Sequence, residues 1–257
     1  MKKLLTLLCL APILALAGTA FDGTWTTKLG SVQVSGPPVA YEISQGMYRC
    51  TSCVPQITVK ADGTDQKVSG HDYYDSIAIR IVNANAIETT RKKGGKIIGA
   101  DAASVSADGK TLTELWVDYA GAQAPKGTNS YTRLTAGPAG SHAISGTWQQ
   151  DPFSGASGSL VTVKYESTAD GLKMAWNGQS YDAKFDGKEY PIKNDPAETT
   201  VSLKRIDANT IQETDRRGGK VIDIIRMAAS ADGKTLSVED ADQLRNTKMT
   251  YIMMKQP

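Results

Sequence analysis

The chain has 257 residues, 29 of them Lys or Arg and 27 Asp or Glu, with two His and three Cys. That near balance excludes a nucleic-acid binder of the strongly basic kind, and so few Cys and His exclude a Cys/His zinc framework. Hydrophobic residues make up 40 % of the sequence, enough for packed domains of ordinary size.

Residues 1–20 begin with Lys2 and Lys3, continue through an apolar run from Leu4 to Leu16, and end in the small residues Gly18-Thr19-Ala20. This is the pattern of a secretory signal peptide, so the mature chain is expected to be periplasmic or secreted. Cleavage after Ala20 makes Phe21 the first mature residue, with Ala15-Leu16-Ala17 as an alternative site. Cys9 lies inside the apolar run, so no lipid anchor is expected. Loss of Lys2 and Lys3 leaves 27 basic and 27 acidic residues. No later stretch approaches the roughly 20 apolar residues of a membrane helix, and no transmembrane segment is expected.

The mature sequence is written twice. Between Ile77–Trp116 and Val201–Asp240, 15 of 40 positions are identical at a fixed offset of 124, too many in one order for chance. Ala84-Asn85-Ala86-Ile87 returns as Ala208-Asn209-Thr210-Ile211, and Ser106 to Leu112 returns unchanged as Ser230 to Leu236. Gly23-Thr24-Trp25 recurs as Gly146-Thr147-Trp148, so each copy opens on the same strand. Each copy has the length of a domain with its own core.

Within copy one, Gly23–Thr26, Val39–Ile43 and Gln56–Lys60 read as strands. Ser76 to Ile81 alternates, with Ile77, Ile79 and Ile81 expected on the buried face. Ala86–Thr90 leads into Gly94-Gly95, a tip whose glycines supply positive φ for a tight reversal. Ala107-Asp108-Gly109-Lys110 reverses the chain again before Thr111–Val117, and Asn129–Leu134 closes the copy. Copy two repeats both turns. Asp151–Ser159 reads as a flexible loop, and Lys92-Lys93 and Arg216-Arg217 as solvated hairpin tips.

The pattern is all-β, and it predicts two tandem antiparallel up-and-down β-barrels of about eight strands each, with a β-sandwich as the alternative. The expected division is a signal peptide at 1–20, a first barrel at 21–136, a linker at 137–142 and a second barrel at 143–257.

The Gly-x-Trp start, the meander of short strands, and Tyr131 with Arg133 in the closing strand resemble the calycin superfamily of lipocalins and fatty-acid-binding proteins. Asp186-Gly187-Lys188-Glu189-Tyr190-Pro191, Lys204 to Ile211 and Ser230 to Leu236 are also similar to stretches of secreted bacterial lipocalin-like proteins. The resemblance implies barrel shape, secretion and carriage of a small apolar ligand. It also implies that Tyr131 and Arg133 jointly hold a carboxylate.

Other candidates come from the residues themselves. Tyr131 and Arg133 share a strand face and combine a hydroxyl donor with a guanidinium fork. Copy two ends with Tyr251 and no Arg at the corresponding place. Trp25 and Trp148 are expected to plug the cores, whereas Trp116 and Trp176 are unmatched between copies and are candidates to line a cavity. Cys50-Thr51-Ser52-Cys53 is expected to form a local disulfide in an oxidising compartment. No catalytic constellation is evident, although Glu88, Glu114, Glu213 and Glu239 could pair in three dimensions. No cofactor and no nucleic-acid partner are expected. Two readings stand at this point: a non-enzymatic protein binding a small apolar, amphipathic or carboxylate-bearing ligand, or an envelope interaction protein with filled cores.

Overall fold

The computed structural model describes residues 20–121, 124–152, 155–157 and 162–257. The expected leader, Cys9 included, therefore lies outside the described residues except for Ala20. Copy one supplies β1 (Gly23–Thr27), β2 (Gln33–Ser35), β3 (Val39–Ser44), β4 (Met47–Cys50), β5 (Ile57–Lys60) and β6 (Gln66–Lys67). It continues with β7 (Ser76–Asn83), β8 (Ala86–Lys93), β9 (Lys96–Val105), β10 (Thr111–Asp118) and β11 (Lys126–Ala136). Copy two supplies β12 (Gly146–Gln150), β13 (Gly155–Ser157), β14 (Thr162–Ser167), β15 (Gly171–Trp176), β16 (Gln179–Lys184) and β17 (Tyr190–Pro191). It ends with β18 (Thr200–Arg205), β19 (Thr210–Arg217), β20 (Lys220–Ala229), β21 (Thr235–Asp242) and β22 (Thr247–Lys255).

These strands form two antiparallel sheets, each a path of ten strands with one more attached. The first barrel runs β5-β4-β3-β12-β11-β10-β9-β8-β7-β6, with β13 on β11. The second runs β16-β15-β14-β1-β22-β21-β20-β19-β18-β17, with β2 on β22. The two ends of each path approach through single bridges, Asp62 to Arg80 and Ser180 to Lys193, so both sheets nearly close. Barrels are thus the observed form. Ten strands rather than eight arise because short pieces such as β4 and β6 pair inside turn-rich sequence.

The sheets do not follow the division at 137–142. Strand β1 of copy one lies between β14 and β22 of copy two, and β12 of copy two lies between β3 and β11 of copy one. The short strands β2 and β13 cross with them. Gly36-Pro37-Pro38 follows β2, and two successive prolines fix φ and hold the preceding residues extended. That stretch carries the chain from one barrel to the other instead of reversing it. Strand β13 also corrects the reading of Asp151–Ser159 as loop throughout.

Each exchanged strand brings a tryptophan to the floor of its new barrel. Trp25 and Trp148 are both fully buried, and their indole N–H groups donate to the carbonyls of Phe21 (2.8 Å) and Ile144 (2.9 Å). Ile77 and Ile79 are buried as expected, but Ile81, paired with Ile87 next to a register shift near the end of the strand, is 40 % exposed. Gly94, Gly95, Gly218 and Gly219 all have positive φ at the hairpin tips. Cys50 and Cys53 form the expected disulfide.

Candidate functional site

Because side chains alternate across a strand, two cross-strand rows define what faces the interior of each barrel. In the second barrel one row is Glu213 (β19), Ile225 (β20) and Asp240 (β21), and the next is Asp215, Asp223 and Asp242. In the first barrel the same places are held by Thr89, Asp101 and Trp116, and by Arg91, Gly99 and Asp118. One lattice therefore carries two chemistries.

The first barrel is filled and its charges are answered internally. Arg91 ion-pairs with Asp101 at 2.5 Å and lies 6.0 Å from the centre of the Tyr74 ring. Glu114 accepts from Asn129 Nδ2 (3.0 Å) and Tyr131 Oη (3.2 Å). Burial, followed by the negative charge of Asp101, pushes the Glu114 carboxyl up. The deep part of this interior keeps about 90 Å³, lined by Leu112, Glu114 and Tyr131, while Arg91, Gly99, Asp101, Trp116 and Asp118 nearer its mouth border a second space of about 360 Å³.

The second barrel contains a cavity of about 490 Å³. Its floor is apolar, formed by Val163, Met227, Val238 and Met253, and its walls include Tyr165, Met174, Trp176 and Tyr251. Glu213, Asp215, Asp223 and Asp240 stand above that floor. Tyr181 donates to Glu213 Oε2 at 2.6 Å, while Asp215 Oδ1 and Asp240 Oδ1 are buried without a hydrogen-bond partner. Burial raises all four carboxyls, and neighbouring carboxylates add to it: Asp223 goes to about 6 with the help of Asp242, and Asp240 to about 7 with the help of Asp223 and Asp242, while Glu213 and Asp215 are also raised. Such a group is neutral or strained at neutral pH unless a cation joins it.

At the mouth, Arg217 donates to Thr199 Oγ1 (2.8 Å) and to Tyr73 Oη (2.6 Å), with its guanidinium 4.2 Å from the centre of the Tyr73 ring. Tyr73 belongs to the first barrel's chain segment and helps roof the second barrel's cavity. Arg216 donates to Ser202 Oγ at 2.8 Å, and Lys92 ion-pairs with Asp65 at 2.6 Å. The expectation of freely solvated basic tips is corrected accordingly.

The expected ligand residues are dispersed. Trp176 and Tyr251 line the large cavity, and Tyr131 lines the small one. Trp116 packs so closely on Gly127 that a Cβ there would collide with its ring, and with Trp176 it lines a cleft of about 360 Å³ between the barrels. Arg133 lies at the closed end: its guanidinium is 3.9 Å from the Trp148 ring centre and donates to the carbonyls of Gly109, Ser145 and Ala143. It is therefore a cap and not half of a carboxylate clamp.

The chain matches no protein-family model, no curated protein and no solved structure.

Register also revises the pairing of the two closing strands. Leu112 faces Tyr131 and Leu236 faces Met253, so Met253 is the counterpart of Tyr131, and Lys255 that of Arg133. Lys255 Nζ accordingly lies 5.4 Å from the Trp25 ring centre, and the basic cap is kept in copy two. Of the carboxylates singled out from sequence, Glu114 and Glu213 face interiors, whereas Glu88 and Glu239 pair with Arg80 and Lys248 outside. Asp215, Asp223 and Asp240 were missed. Their signal was alternation, since Asp215 is four residues and Glu213 two from the buried Ile211.

Proposed function

We propose that this is an exported binding protein whose second barrel carries a small amphipathic molecule, with the first barrel as a filled companion. The reading rests on one observation: on a shared lattice, the deep apolar interior of the second barrel keeps about 490 Å³, whereas the corresponding depth of the first keeps about 90 Å³, its remaining space of about 360 Å³ lying toward the cleft beside Arg91, Asp101 and Trp116. Small-molecule sites occupy roughly 300–1,000 Å³, with apolar walls and a few placed polar groups. Export is supported by the leader-like start and by the Cys50–Cys53 disulfide, which suits an oxidising compartment. The lipocalin-like resemblance in sequence supports the same kind of carriage. For the first barrel the filled-core reading is the one we favour, supported by Arg91, Asp101 and Glu114, whose side chains point into its interior.

Titration with the neutral dye N-phenyl-1-naphthylamine tests the proposal. We expect saturable binding of one dye per chain with quenching of tryptophan emission. Ile225→Trp, which fills the middle of the cavity, is expected to weaken it by about tenfold or more, whereas Trp116→Phe in the cleft leaves it unchanged. Absence of saturable binding, or an unaffected Ile225→Trp protein with native β-sheet circular dichroism, would contradict it.

A further inference from the structure

Resting on that reading, we propose that the molecule carried in the second barrel is an organic cation, an amine or guanidine with an apolar body, whose charged head sits among Glu213, Asp215, Asp223 and Asp240. The first barrel shows what the shared lattice does when it supplies its own cation. There Arg91 reaches into the interior and pairs with Asp101 beside Tyr74. At the identical lattice place the second barrel has Asp215, opposite Asp223. The second barrel has no guanidinium at this place and more carboxylates around it.

The cation nearest those carboxylates on β19, Arg217, donates to Thr199 and Tyr73 at the rim. Asp215 Oδ1 and Asp240 Oδ1 remain buried and unpartnered, an arrangement that is costly for an ionised group without a counter-charge. Trp176, Tyr165 and Tyr251 add aromatic faces suited to an ammonium or guanidinium. The apolar floor beneath suits a hydrocarbon body. Among the described residues no group of three or more His, Cys, Asp and Glu side chains is arranged to hold a metal ion, which favours an organic head group over a metal.

Three probes of one body separate the possibilities in calorimetric titrations of the full chain at pH 8: 4-phenylbutylamine, 4-phenyl-1-butanol and 4-phenylbutyrate. The amine is expected to bind about tenfold or more tighter than the alcohol, with the carboxylate weakest, as charge-assisted bonds dictate. Asp215→Arg, which installs the first barrel's own cation, should abolish the amine's advantage and raise the melting temperature at pH 8. Asp240→Asn should reduce that advantage while keeping the neutral dye bound. Equal or tighter binding of the alcohol or the carboxylate, or an amine advantage that survives Asp215→Arg in a folded protein, would overturn the inference. If the neutral dye binds and the amine does not, the inference fails alone; if neither binds, the carrier reading fails beneath it.

Discussion

The single position that separates the two barrels is Arg91 in one and Asp215 in the other, and its effect is measurable without a ligand. Asp215, Asp223 and Asp240 are raised by burial first and by a neighbouring carboxylate second, Glu213 for Asp215, Asp242 for Asp223 and Asp223 for Asp240. Facing them are Glu213, the Tyr251 hydroxyl, Arg217 at the rim, and Asp242 with its partner Arg245. Carboxyls raised in the folded state bind more protons there than in the unfolded chain, so their stabilising contribution is complete below about pH 4 and is lost as pH rises through 6–7 and beyond. The ligand-free protein should lose on the order of 2–4 kcal/mol between pH 5 and 8, after allowance for solvent screening of partly exposed groups. Urea melts check this: Asp240→Asn should flatten the slope and stabilise the protein at pH 8, and a slope equal to that of the parent would contradict it. At this scale the sequence was half legible. Trp176 and Tyr251 were visible as cavity candidates, but Arg133 was misread because strand alternation gives the face a residue shares and not how far a long side chain travels to reach carbonyls at the barrel's end.

At the scale of elements, the strand inventory was legible and the partners of two strands were not. Alternation, Gly-Gly tips and Asp-Gly turns locate β7 to β10 and β18 to β21, because each signal is local. Exchange of β1 and β12 leaves every local signal unchanged, since each strand enters a place already shaped for its repeat: Trp25 replaces Trp148 and Gly23-Thr24 replaces Gly146-Thr147. Only the extended Gly36-Pro37-Pro38 stretch hints at a crossing. The closing strands were misaligned for a related reason. Residues 119–125 join β10 to β11, whereas 243–246 join β21 to β22, and the shorter connection shifts the following strand against the 124-residue offset. The exchange is tested by a paired substitution. Thr26 and Thr162 are cross-strand partners with hydroxyls 3.4 Å apart, so Thr26→Cys with Thr162→Cys should close an intramolecular disulfide, seen as a loss of two hydrogens by mass spectrometry of the monomer. Persistently free thiols in the oxidised, folded protein would place β1 elsewhere.

For the molecule as a whole, the exchange makes the two copies mutual parts: each barrel's floor is a tryptophan from the other copy, and Tyr73 from copy one roofs the cavity of copy two through Arg217. The copy with Asp215 in place of an internal Arg has the larger cavity and the carboxylates on which the proposed binding rests. The most direct measurement is a crystal structure of the protein grown with 4-phenylbutylamine. The account predicts the ammonium within hydrogen-bond reach of the Asp215 and Asp240 carboxylates, with the phenyl ring on Met227, Val238 and Met253. An amine found only in the cleft beside Trp116, or one lying with its ammonium on the apolar floor, would contradict it.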